Sequence, residues 1–453
     1  MISGFTTPDY LTMFNPAKAR TFYIRTFGCQ MNKHDSERIS GLLMGSGYSR
    51  VHDPLAADVV IFNTCCVRES AVARFLGNLK ELSSKIKVNP VARIAVVGCT
   101  AQDMGDQIFE IVPQVDIVVG TGNLNELPIL IDKCIKNNEK ISLVSSNFDS
   151  QTISRMPLEQ ECEFKAWVPI SYGCSNYCSY CIVPYVRGNE VSRDPNQIID
   201  EIMSLAQNGV KEITLLGQNV NSYSSKGYSF YDLLEKVSEF NALKRIRFAT
   251  SHPKDLSRSI IDLIASKDNI CKHIHLPVQS GSNKILSLMN RGYERDYYLD
   301  NVKYIRAKIP ECSLTTDIIV GFPGETEKDF EDTLDLVRKC RFDQSFTFIF
   351  SPRRNTKAAQ MPDEVGRQEK VERLMALTQL QDEIALLSNR AYIGRQEEIL
   401  VDGVSKKNWS EVRGRTDSNK VVNATGGTDL IGKFVNVKIY DAGKYSLHGK
   451  III

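Results

Sequence analysis

Three cysteines in one short stretch are the residues of this chain best suited to metal chemistry. Cys174, Cys178 and Cys181 are spaced CxxxCxxC within SYGCSNYCSYCIVPYVRG. Three thiolates on one loop can bind three irons of a 4Fe–4S cluster and leave the fourth iron open to a ligand. A structural zinc site needs a fourth ligand, and no Cys or His follows within thirty residues of Cys181. The spacing therefore favours an open iron–sulfur cluster over zinc.

Three further cysteines each follow an apolar run that is typical of a β-strand. Cys29 follows TFYIRTFG, Cys65 follows VVIFNT, and Cys99 follows RIAVVG. Because the carboxyl ends of parallel strands share one edge of a sheet, we expect these cysteines to meet there. They would hold a second open cluster, which could bind an exogenous atom such as sulfur. The alternative is a set of buried core thiols.

Cys66 leaves one ambiguity in this second set. Successive residues of a strand point to opposite sides, so only one of Cys65 and Cys66 should face the cluster. We predict Cys65, because it keeps the pattern NTC, and Cys66 is the alternative ligand.

Motifs along nearly the whole chain, from about residue 20 to 453, resemble those of the radical S-adenosylmethionine methylthiotransferases. They are TFGCQMNKHDSE, FNTCCVRES, VVGCTAQ, SYGCSNYCSYCIVPYVRGNEVSR, LLGQNVNSY, HLPVQSGSNKIL, TDIIVGFPGETEKDF and FSPRRNTKAAQM. The resemblance is closest to the tRNA-2-methylthio-N(6)-isopentenyladenosine synthase branch. It implies methylthiolation of carbon 2 of N(6)-isopentenyladenosine at position 37 of tRNA. Two 4Fe–4S clusters are implied, with one S-adenosylmethionine as radical source and one as methyl donor.

The resemblance also implies partners, while the composition bounds the class of protein. The expected partners are the tRNA anticodon loop, an electron donor such as flavodoxin or ferredoxin, and a sulfur source. The 56 Lys and Arg nearly balance the 54 Asp and Glu, so any RNA contact must come from local patches. Twelve cysteines without a secretory segment indicate a reducing compartment. We expect a cytoplasmic monomer that contacts no membrane.

The fold expected is α/β with three domains. An open parallel α/β sheet should span 21–137, after a loosely held leader over 1–20 and before a linker over 136–160. Strand and helix patterns then alternate through 160–390, where the resemblance implies a partial (βα)6 barrel ending in a connecting helix. Short alternating runs in 393–453 indicate a small antiparallel β-barrel, similar to the OB-like, RNA-binding TRAM domain.

The periodicity predicts particular elements within these domains. Six core strands are expected at 167–172, 212–216, 245–249, 273–278, 314–320 and 345–350. A fourth strand of the first sheet is expected at 116–120, and helices are expected at 35–44, 69–82 and 368–390.

The resemblance assigns six residues to S-adenosylmethionine. They are Tyr180, Gly217, Gln218, Asn219, Gln279 and Arg291. Residues 217–219 would face its amino end, Gln279 its ribose or carboxylate, and Arg291 its carboxylate. Tyr180 and the GFPGE loop over 321–325 would face the adenine. The plainer alternatives are a strand-to-loop turn, a solvated arginine and an aromatic shield beside the cluster.

Basic residues in two regions are candidates for RNA contact. Those of the core are Arg187, Arg193, Arg353 and Arg354, and those of the C-terminal barrel are Lys406, Lys407, Arg413 and Arg415, which flank Trp409. The alternatives are solvated charges and a Trp409 buried in the barrel. His252, His273 and His275 lack ligand spacing, and we interpret them as structural.

Two other functions fit parts of these patterns. A ribosomal-protein aspartate methylthiotransferase would share the clusters and the barrel. An iron–sulfur RNA-binding protein without turnover would not need the open coordination of the CxxxCxxC loop.

Overall fold

The computed structural model describes residues 20–67, 69–89, 91–145 and 162–452, without the side chains of Glu69 and Ser70. Residues 1–19 of the predicted leader and residues 146–160 of the predicted linker lie outside the described residues. The chain forms two compact units. The first comprises the described residues up to 145 with Tyr185–Arg187, and the second comprises Cys162–Pro184 and the chain from Gly188. In the described chain, no helix is both long and apolar enough to cross a membrane.

A six-stranded parallel sheet forms the centre of the first unit. Its strands, in chain order, are β1 (Thr21–Thr26), β2 (Ser49–Arg50), β3 (Val59–Thr64), β4 (Arg93–Gly98), β5 (Ile117–Val119) and β6 (Ile141–Leu143). Their order in the sheet is β2-β1-β3-β4-β5-β6. The open parallel sheet is therefore confirmed, with β2 and β6 as edge strands that the periodicity did not predict.

Helices cover both faces of this sheet. They are α1 (Gln30–Gly45), α2 (Glu69–Ile86), α3 (Cys99–Met104), α4 (Gln107–Ile111) and α5 (Leu127–Asn137). Ile61 and its alternate neighbours pack with α1 and α5. Phe62 and its alternate neighbours pack with α2 and α4. Because side chains alternate along a strand, a sheet covered on both faces needs the continuous apolar runs seen in the sequence.

Two three-stranded parallel sheets form the core of the second unit. One contains β7 (Lys165–Pro169), β10 (Glu212–Leu216) and β13 (Arg245–Phe248), and the other β14 (His273–His275), β15 (Ser313–Val320) and β16 (Gln344–Ile349). Two short antiparallel pairs occur in the chain between β7 and β13, namely β8 (Ser171–Tyr172) with β9 (Val191–Ser192) and β11 (Ser224–Ser225) with β12 (Tyr228–Ser229). The six predicted core strands are confirmed, although the first ends at Pro169 and β8 pairs separately.

Helices surround the two core sheets. The short helix α6 (Val183–Arg187) is divided between the two units, and the helices of the second unit are α7 (Pro195–Gln207), α8 (Phe230–Ser238), α9 (Arg258–Ser266), α10 (Asn283–Leu288), α11 (Arg295–Lys308), α12 (Glu327–Cys340) and the connecting helix α13 (Arg367–Arg390). The apolar faces of α7, α8, α9, α11, α12 and α13 share one hydrophobic core with the strands. This arrangement is the partial (βα)6 barrel expected for the central domain.

A closed five-stranded barrel completes the second unit. Its strands are β17 (Gln396–Val404), β18 (Glu411–Arg415), β19 (Val421–Thr425), β20 (Phe434–Ala442) and β21 (Leu447–Ile452), in the order β17-β18-β19-β21-β20. The predicted small barrel is confirmed. Four of its strands match predicted alternating runs, and the structure adds β19.

Buried arginines join the small barrel to the core. Arg247 donates from Nε to Glu212 Oε2 at 3.0 Å and from Nη2 to the carbonyl of Thr416 at 2.8 Å. Arg245 donates from Nη1 to the carbonyl of Arg415 at 2.7 Å. Because a buried charge is costly unless it is paired, these contacts fix the barrel on the core.

We predict that Arg247→Met destabilises the second unit strongly. The change removes one of the two cations that pair with the buried Glu212 carboxylate and leaves barrel carbonyls unpaired, which should cost about 3 kcal/mol of unfolding free energy. Urea unfolding followed by circular dichroism measures it. The matched control is Lys236→Met, which breaks the exposed pair with Glu239 and should leave the midpoint unchanged. Equal midpoints for both variants would contradict the role of Arg247.

Candidate metal centres

The cysteines of the first unit meet at the carboxyl ends of three neighbouring strands. Cys29 follows β1 and caps the N-terminus of α1, Cys65 follows β3, and Cys99 follows β4. Cys65 hydrogen-bonds to Cys29, and Cys66 hydrogen-bonds to Cys99. The structure thus brings together the three predicted cysteines and also Cys66, so the choice between Cys65 and Cys66 stays a prediction.

Hydrogen bonding within each pair of cysteines lowers the pKa of one thiol and raises that of the other. The bond from Cys65, followed by the charge of Arg187, lowers the pKa of Cys29 to about 6, and the same bond raises the pKa of Cys65. The bond from Cys66 lowers the pKa of Cys99 and raises that of Cys66. Thiolates are the form of cysteine that binds metal, so this group fits a positively charged ligand.

Two glycines allow the close approach of these cysteine loops. Gly28 has φ +132°, and a Cβ there would lie 2.4 Å from Cys65 Cβ. Gly98 has φ +95°, and a Cβ there would lie 2.6 Å from the carbonyl oxygen of Thr64. A larger residue at either position would push neighbouring cysteine loops apart.

A buried amide pair ties the loops together. Asn32 Nδ2 donates to the carbonyl of Thr64 at 3.0 Å. Asn63 Nδ2 donates to the carbonyl of Asn32 at 2.7 Å and to Ser36 Oγ at 2.9 Å. Both asparagines are fully buried. Satisfied buried networks of this kind are rigid, so they fix the positions of Cys29 and Cys65.

Arg187, predicted to contact RNA, lies in this cysteine group, and its contact with RNA stays a prediction. Its Nε donates to Cys99 Sγ at 3.1 Å and its Nη2 to Asp35 Oδ2 at 2.8 Å. It is 6% exposed. The Thr121 hydroxyl donates to the carbonyl of Val186 at 2.5 Å, which anchors the residue before Arg187. The motif containing Asp35 was visible in the sequence, but its role was not.

Arg193, also predicted to contact RNA, is held within the core. Its Nη1 donates to the carbonyl of Pro169 at 2.6 Å, and its Nη2 pairs with Glu201 at 2.6 Å. It is 5% exposed, so its charge supports the core, and its contact with RNA stays a prediction.

The second cysteine group lies on the loop that follows β7 and β8, where strand ends of such barrels carry active sites. The amide of Cys174 donates to the carbonyl of Gly188 at 3.1 Å, and that of Cys181 to the carbonyl of Cys178 at 2.9 Å. Burial, followed by the nearby Cys178, raises the pKa of Cys181 to about 12, and burial raises that of Cys174. A bound metal reverses this preference for the neutral thiol.

Arg291 lies against this cysteine loop. Its Nη1 donates to Cys178 Sγ and to the Tyr180 hydroxyl, both at 3.3 Å, and its Nη2 donates to the carbonyl of Pro277 at 2.7 Å. Burial raises the pKa of Tyr180, which packs beside Phe322 and Met289. Arg291 is therefore no solvated surface charge. Its pairing with a ligand carboxylate stays a prediction.

The remaining residues predicted to bind S-adenosylmethionine lie at strand ends of the same unit. Gln279 is buried with φ +74°, a left-handed backbone that marks functional strain. Asn219 Nδ2 donates to Asp255 Oδ2 at 2.7 Å. Gly217 is packed against Ser171 Oγ, and Gln218 is half-buried. In the GFPGE loop, a Cβ at Gly321 would lie 2.3 Å from Lys370 Cγ, so this glycine accommodates the lysine stem.

The basic candidates outside the cysteine sites differ in exposure. Trp409 is 91% exposed and follows the exposed Lys406 and Lys407, so the alternative of a core tryptophan is wrong. In the same barrel, Arg413 pairs with Asp402 at 2.9 Å, and Arg415 donates to the carbonyl of Asn419 at 3.1 Å. On the core, Arg353 is half-buried and Arg354 is exposed.

The histidines occupy structural positions, as their sequence context indicated. His252 Nδ1 accepts from the amide of Lys254 at 3.3 Å. His273 and His275 both hydrogen-bond to Thr315 Oγ1. Across the described ranges, no three Cys, His, Asp or Glu side chains converge tightly enough to hold a single metal ion.

Three family models match the chain. The model described as Uncharacterized protein family UPF0004 matches residues 21–120, that of the Radical SAM superfamily matches 168–337, and that of the TRAM domain matches 390–452. With the two cysteine groups and the partial barrel, these matches define a radical S-adenosylmethionine protein.

Curated relatives narrow this class further. The tRNA-2-methylthio-N(6)-dimethylallyladenosine synthase of Clostridium botulinum (strain Loch Maree / Type A3) is 49% identical, over 95% of this chain and 97% of the relative. The synthase of the same name from Caldicellulosiruptor saccharolyticus is 48% identical, over 97% of this chain and 94% of the relative. That from Moorella thermoacetica is 47% identical, over 96% and 99%. This chain belongs to the tRNA-2-methylthio-N(6)-dimethylallyladenosine synthase family.

Solved structures share the fold at low sequence identity. The radical S-adenosylmethionine methyltransferase TsrM from Kitasatospora setae, solved with cobalamin and a [4Fe-4S] cluster bound, is 13% identical with a TM-score of 0.57, over 76% of this chain and 74% of that one. The cobalamin-dependent S-adenosylmethionine radical enzyme OxsB, solved with aqua-cobalamin and S-adenosylmethionine, is 12% identical with a TM-score of 0.52. The match covers 81% of this chain and 56% of that one.

We predict that His252 and His273 make the protein lose stability below about pH 6.5. Burial lowers the pKa of His252 to about 2 and that of His273 to about 3. The unfolded chain binds these protons near pH 6.5, so each histidine favours unfolding as the pH falls below that value. His252→Gln should reduce the slope of unfolding free energy between pH 6 and 5 by about 1 kcal/mol per pH unit.

The measurement is urea unfolding at several pH values. His273→Gln should show a reduction of the same sign. A slope unchanged in both variants would contradict burial of the neutral rings.

Proposed function

We propose that this protein attaches a methylthio group to carbon 2 of N(6)-isopentenyladenosine, also called N(6)-dimethylallyladenosine, at position 37 of tRNA. The observation that carries the proposal is the pair of cysteine groups, one in each compact unit and each at strand carboxyl ends. Near-full-length identity of 49% to a synthase named for this nucleoside supports the substrate. The TRAM match over 390–452 supports RNA as its carrier.

Each cysteine group is proposed to hold one 4Fe–4S cluster. Cys174, Cys178 and Cys181 leave one iron open for S-adenosylmethionine, and Cys29, Cys65 and Cys99 leave one open for sulfur. The donor sets fit, since each supplies three clustered thiols and a buried arginine that donates to one sulfur. When bound, the clusters and S-adenosylmethionine supply the radical chemistry that replaces hydrogen on an unactivated aromatic carbon.

The chain's own residues bind and orient these groups. The set proposed to surround S-adenosylmethionine is Tyr180, Gly217, Gln218, Asn219, Gln279 and Arg291. The strained backbone of Gln279 presents its amide at a strand end, and Arg291 holds Cys178 in place. Arg291 is buried and Tyr180 is half-buried at this loop, so both limit the access of water to the site.

The proposed substrate geometry follows from the chemistry of RNA. An anticodon loop presents an unstacked base at a lower cost than a duplex does. The proposed partners are such a tRNA loop, a flavodoxin- or ferredoxin-like electron donor and a sulfur source. The proposed setting is a cytoplasmic monomer.

We expect the two cysteine groups to have separable roles. The reconstituted protein should hold about eight irons, that is, two clusters of four. Alanine at Cys29, Cys65 and Cys99 should halve the iron, keep cleavage of S-adenosylmethionine and abolish methylthiolated nucleoside. The measurements are iron analysis and mass spectrometry of nucleosides from tRNA incubated with S-adenosylmethionine and reductant.

Cys66→Ala is the matched control for this experiment and should retain both product and iron. Loss of its cluster would assign the ligand role to Cys66. Methylthiolated protein in place of methylthiolated tRNA would favour the aspartate-modifying alternative. Product formation by the triple variant would contradict sulfur delivery from the first unit.

We propose that Lys406, Lys407 and Trp409 contact tRNA, and we predict a change in salt dependence when the lysines are reversed. Each phosphate contact contributes about 0.7 to 0.9 to the slope of log affinity against log salt concentration. Lys406→Glu with Lys407→Glu should therefore flatten the slope by about 1.4 to 1.8. Binding of labelled tRNA at several salt concentrations measures it.

The matched control reverses two exposed lysines on core helices, Lys236→Glu with Lys339→Glu. These lysines pair with neighbouring acids on the same helix surface. An equal change of slope in both double variants would place the tRNA interface outside the β17–β18 loop.

A further inference from the structure

Arg187 holds its guanidinium between a carboxylate and a cysteine sulfur. Nε donates to Cys99 Sγ at 3.1 Å, and Nη2 donates to Asp35 Oδ2 at 2.8 Å. The side chains of Arg187 and Asp35 are 7% and 5% exposed. The guanidinium thus uses two different edges, and both it and its carboxylate partner are buried, although Cys29 of the same site is exposed.

A purely structural ion pair would not require this arrangement. A carboxylate can pair with the terminal nitrogens of an arginine, or with a lysine, and leave Nε for other partners. Here Nε is aimed at the sulfur while Nη2 is held by Asp35, and only a rigid fork of donors can bridge two such acceptors. The geometry matches the carboxylate relays that orient the ligands of metal sites.

A donor on a ligating sulfur changes the chemistry of a bound cluster. Reduction adds negative charge, and a nearby cation and an N–H on the sulfur stabilise that charge. Hydrogen bonds to sulfur and net charge are among the factors that set iron–sulfur potentials. Burial strengthens the effect, because few water molecules screen the charge.

We infer that Arg187 is a positioning residue of the first cysteine site, which raises the reduction potential of the cluster held there and is itself oriented by Asp35. The inference rests on the proposed function, because it assumes a cluster on Cys29, Cys65 and Cys99. Arg187 acts through Cys99 and needs no contact with substrate.

The test isolates this cluster. In a background with Cys174, Cys178 and Cys181 replaced by alanine, the reconstituted protein should hold about four irons. Electron paramagnetic resonance during a redox titration then measures one potential. Arg187→Gln should lower the equilibrium constant for one-electron reduction at least tenfold, which corresponds to about 59 mV.

Asp35→Asn gives the sharper comparison, because it should shift the potential in the opposite direction. It removes a negative charge and keeps an oxygen that Arg187 can donate to. Arg187→Lys keeps the charge but cannot bridge both partners, so its shift should be smaller than that of Arg187→Gln. The matched control, Arg193→Gln, removes an equally buried arginine that pairs with Glu201 and should leave the potential unchanged.

The outcomes separate this inference from the proposed function. A background protein without iron would overturn the assignment of the cluster and this inference together. Four irons with the same potential in Arg187→Gln would overturn this inference alone. Shifts of the reduction potential in the same direction in Arg187→Gln and Asp35→Asn would also overturn it. A general loosening of the site would change the potential without regard to the charge that was removed. If Arg187→Gln loses iron, the other two variants replace it in the test. A lower potential in Arg187→Lys and a higher potential in Asp35→Asn would support the inference, and any other pair of signs would overturn it.

Discussion

Parallel pairing of β1, β3 and β4 is the constraint on which the first cysteine site depends. Thr26 pairs with Asn63, and Thr64 pairs with Gly98. This register brings together three cysteine loops that are separated by more than thirty residues in the chain. A slip of one residue would turn the side chains of a strand to the opposite face of the sheet. The buried network of Asn32 and Asn63 and the left-handed Gly28 and Gly98 all follow from holding these strand ends together.

Both cysteine groups use a buried arginine on one sulfur, but they balance its charge differently. Arg187 contacts Cys99 and shares its charge with Asp35. Arg291 contacts Cys178 and is held by Tyr180 and a backbone carbonyl. The carboxylate makes the arginine pair of the first unit formally neutral, whereas Arg291 keeps a net positive charge beside its loop. The same sulfur contact can therefore affect the two sites to different extents.

Sequence patterns predicted the sheets and the cysteine groups because both depend on local spacing. Apolar runs mark buried strands, and CxxxCxxC places three thiols on one loop by itself. The role of Arg187 depends on a contact with Cys99 across 88 positions, and nothing local in VPYVRG distinguishes it from an exposed charge. Trp409 shows the opposite case, since a lone tryptophan in a small barrel is ordinarily buried and this one is not. Strand β19 was missed although its run, VVNAT, is as long as that of β18 and more apolar.

The attachment of the small barrel to the core bears on how tRNA binding is used. A barrel on a flexible tether would add affinity and leave the bound RNA free to turn. Here Arg245 and Arg247 donate to barrel carbonyls, and Lys420 of the barrel pairs with Asp343 of the core at 2.6 Å. The exposed loop of Trp409 therefore has a fixed position relative to the CxxxCxxC loop in the same unit. If Lys406, Lys407 and Trp409 contact tRNA as proposed, the binding energy gained there orients the substrate base as well as retaining the tRNA, and orientation is what accelerates a reaction between held groups.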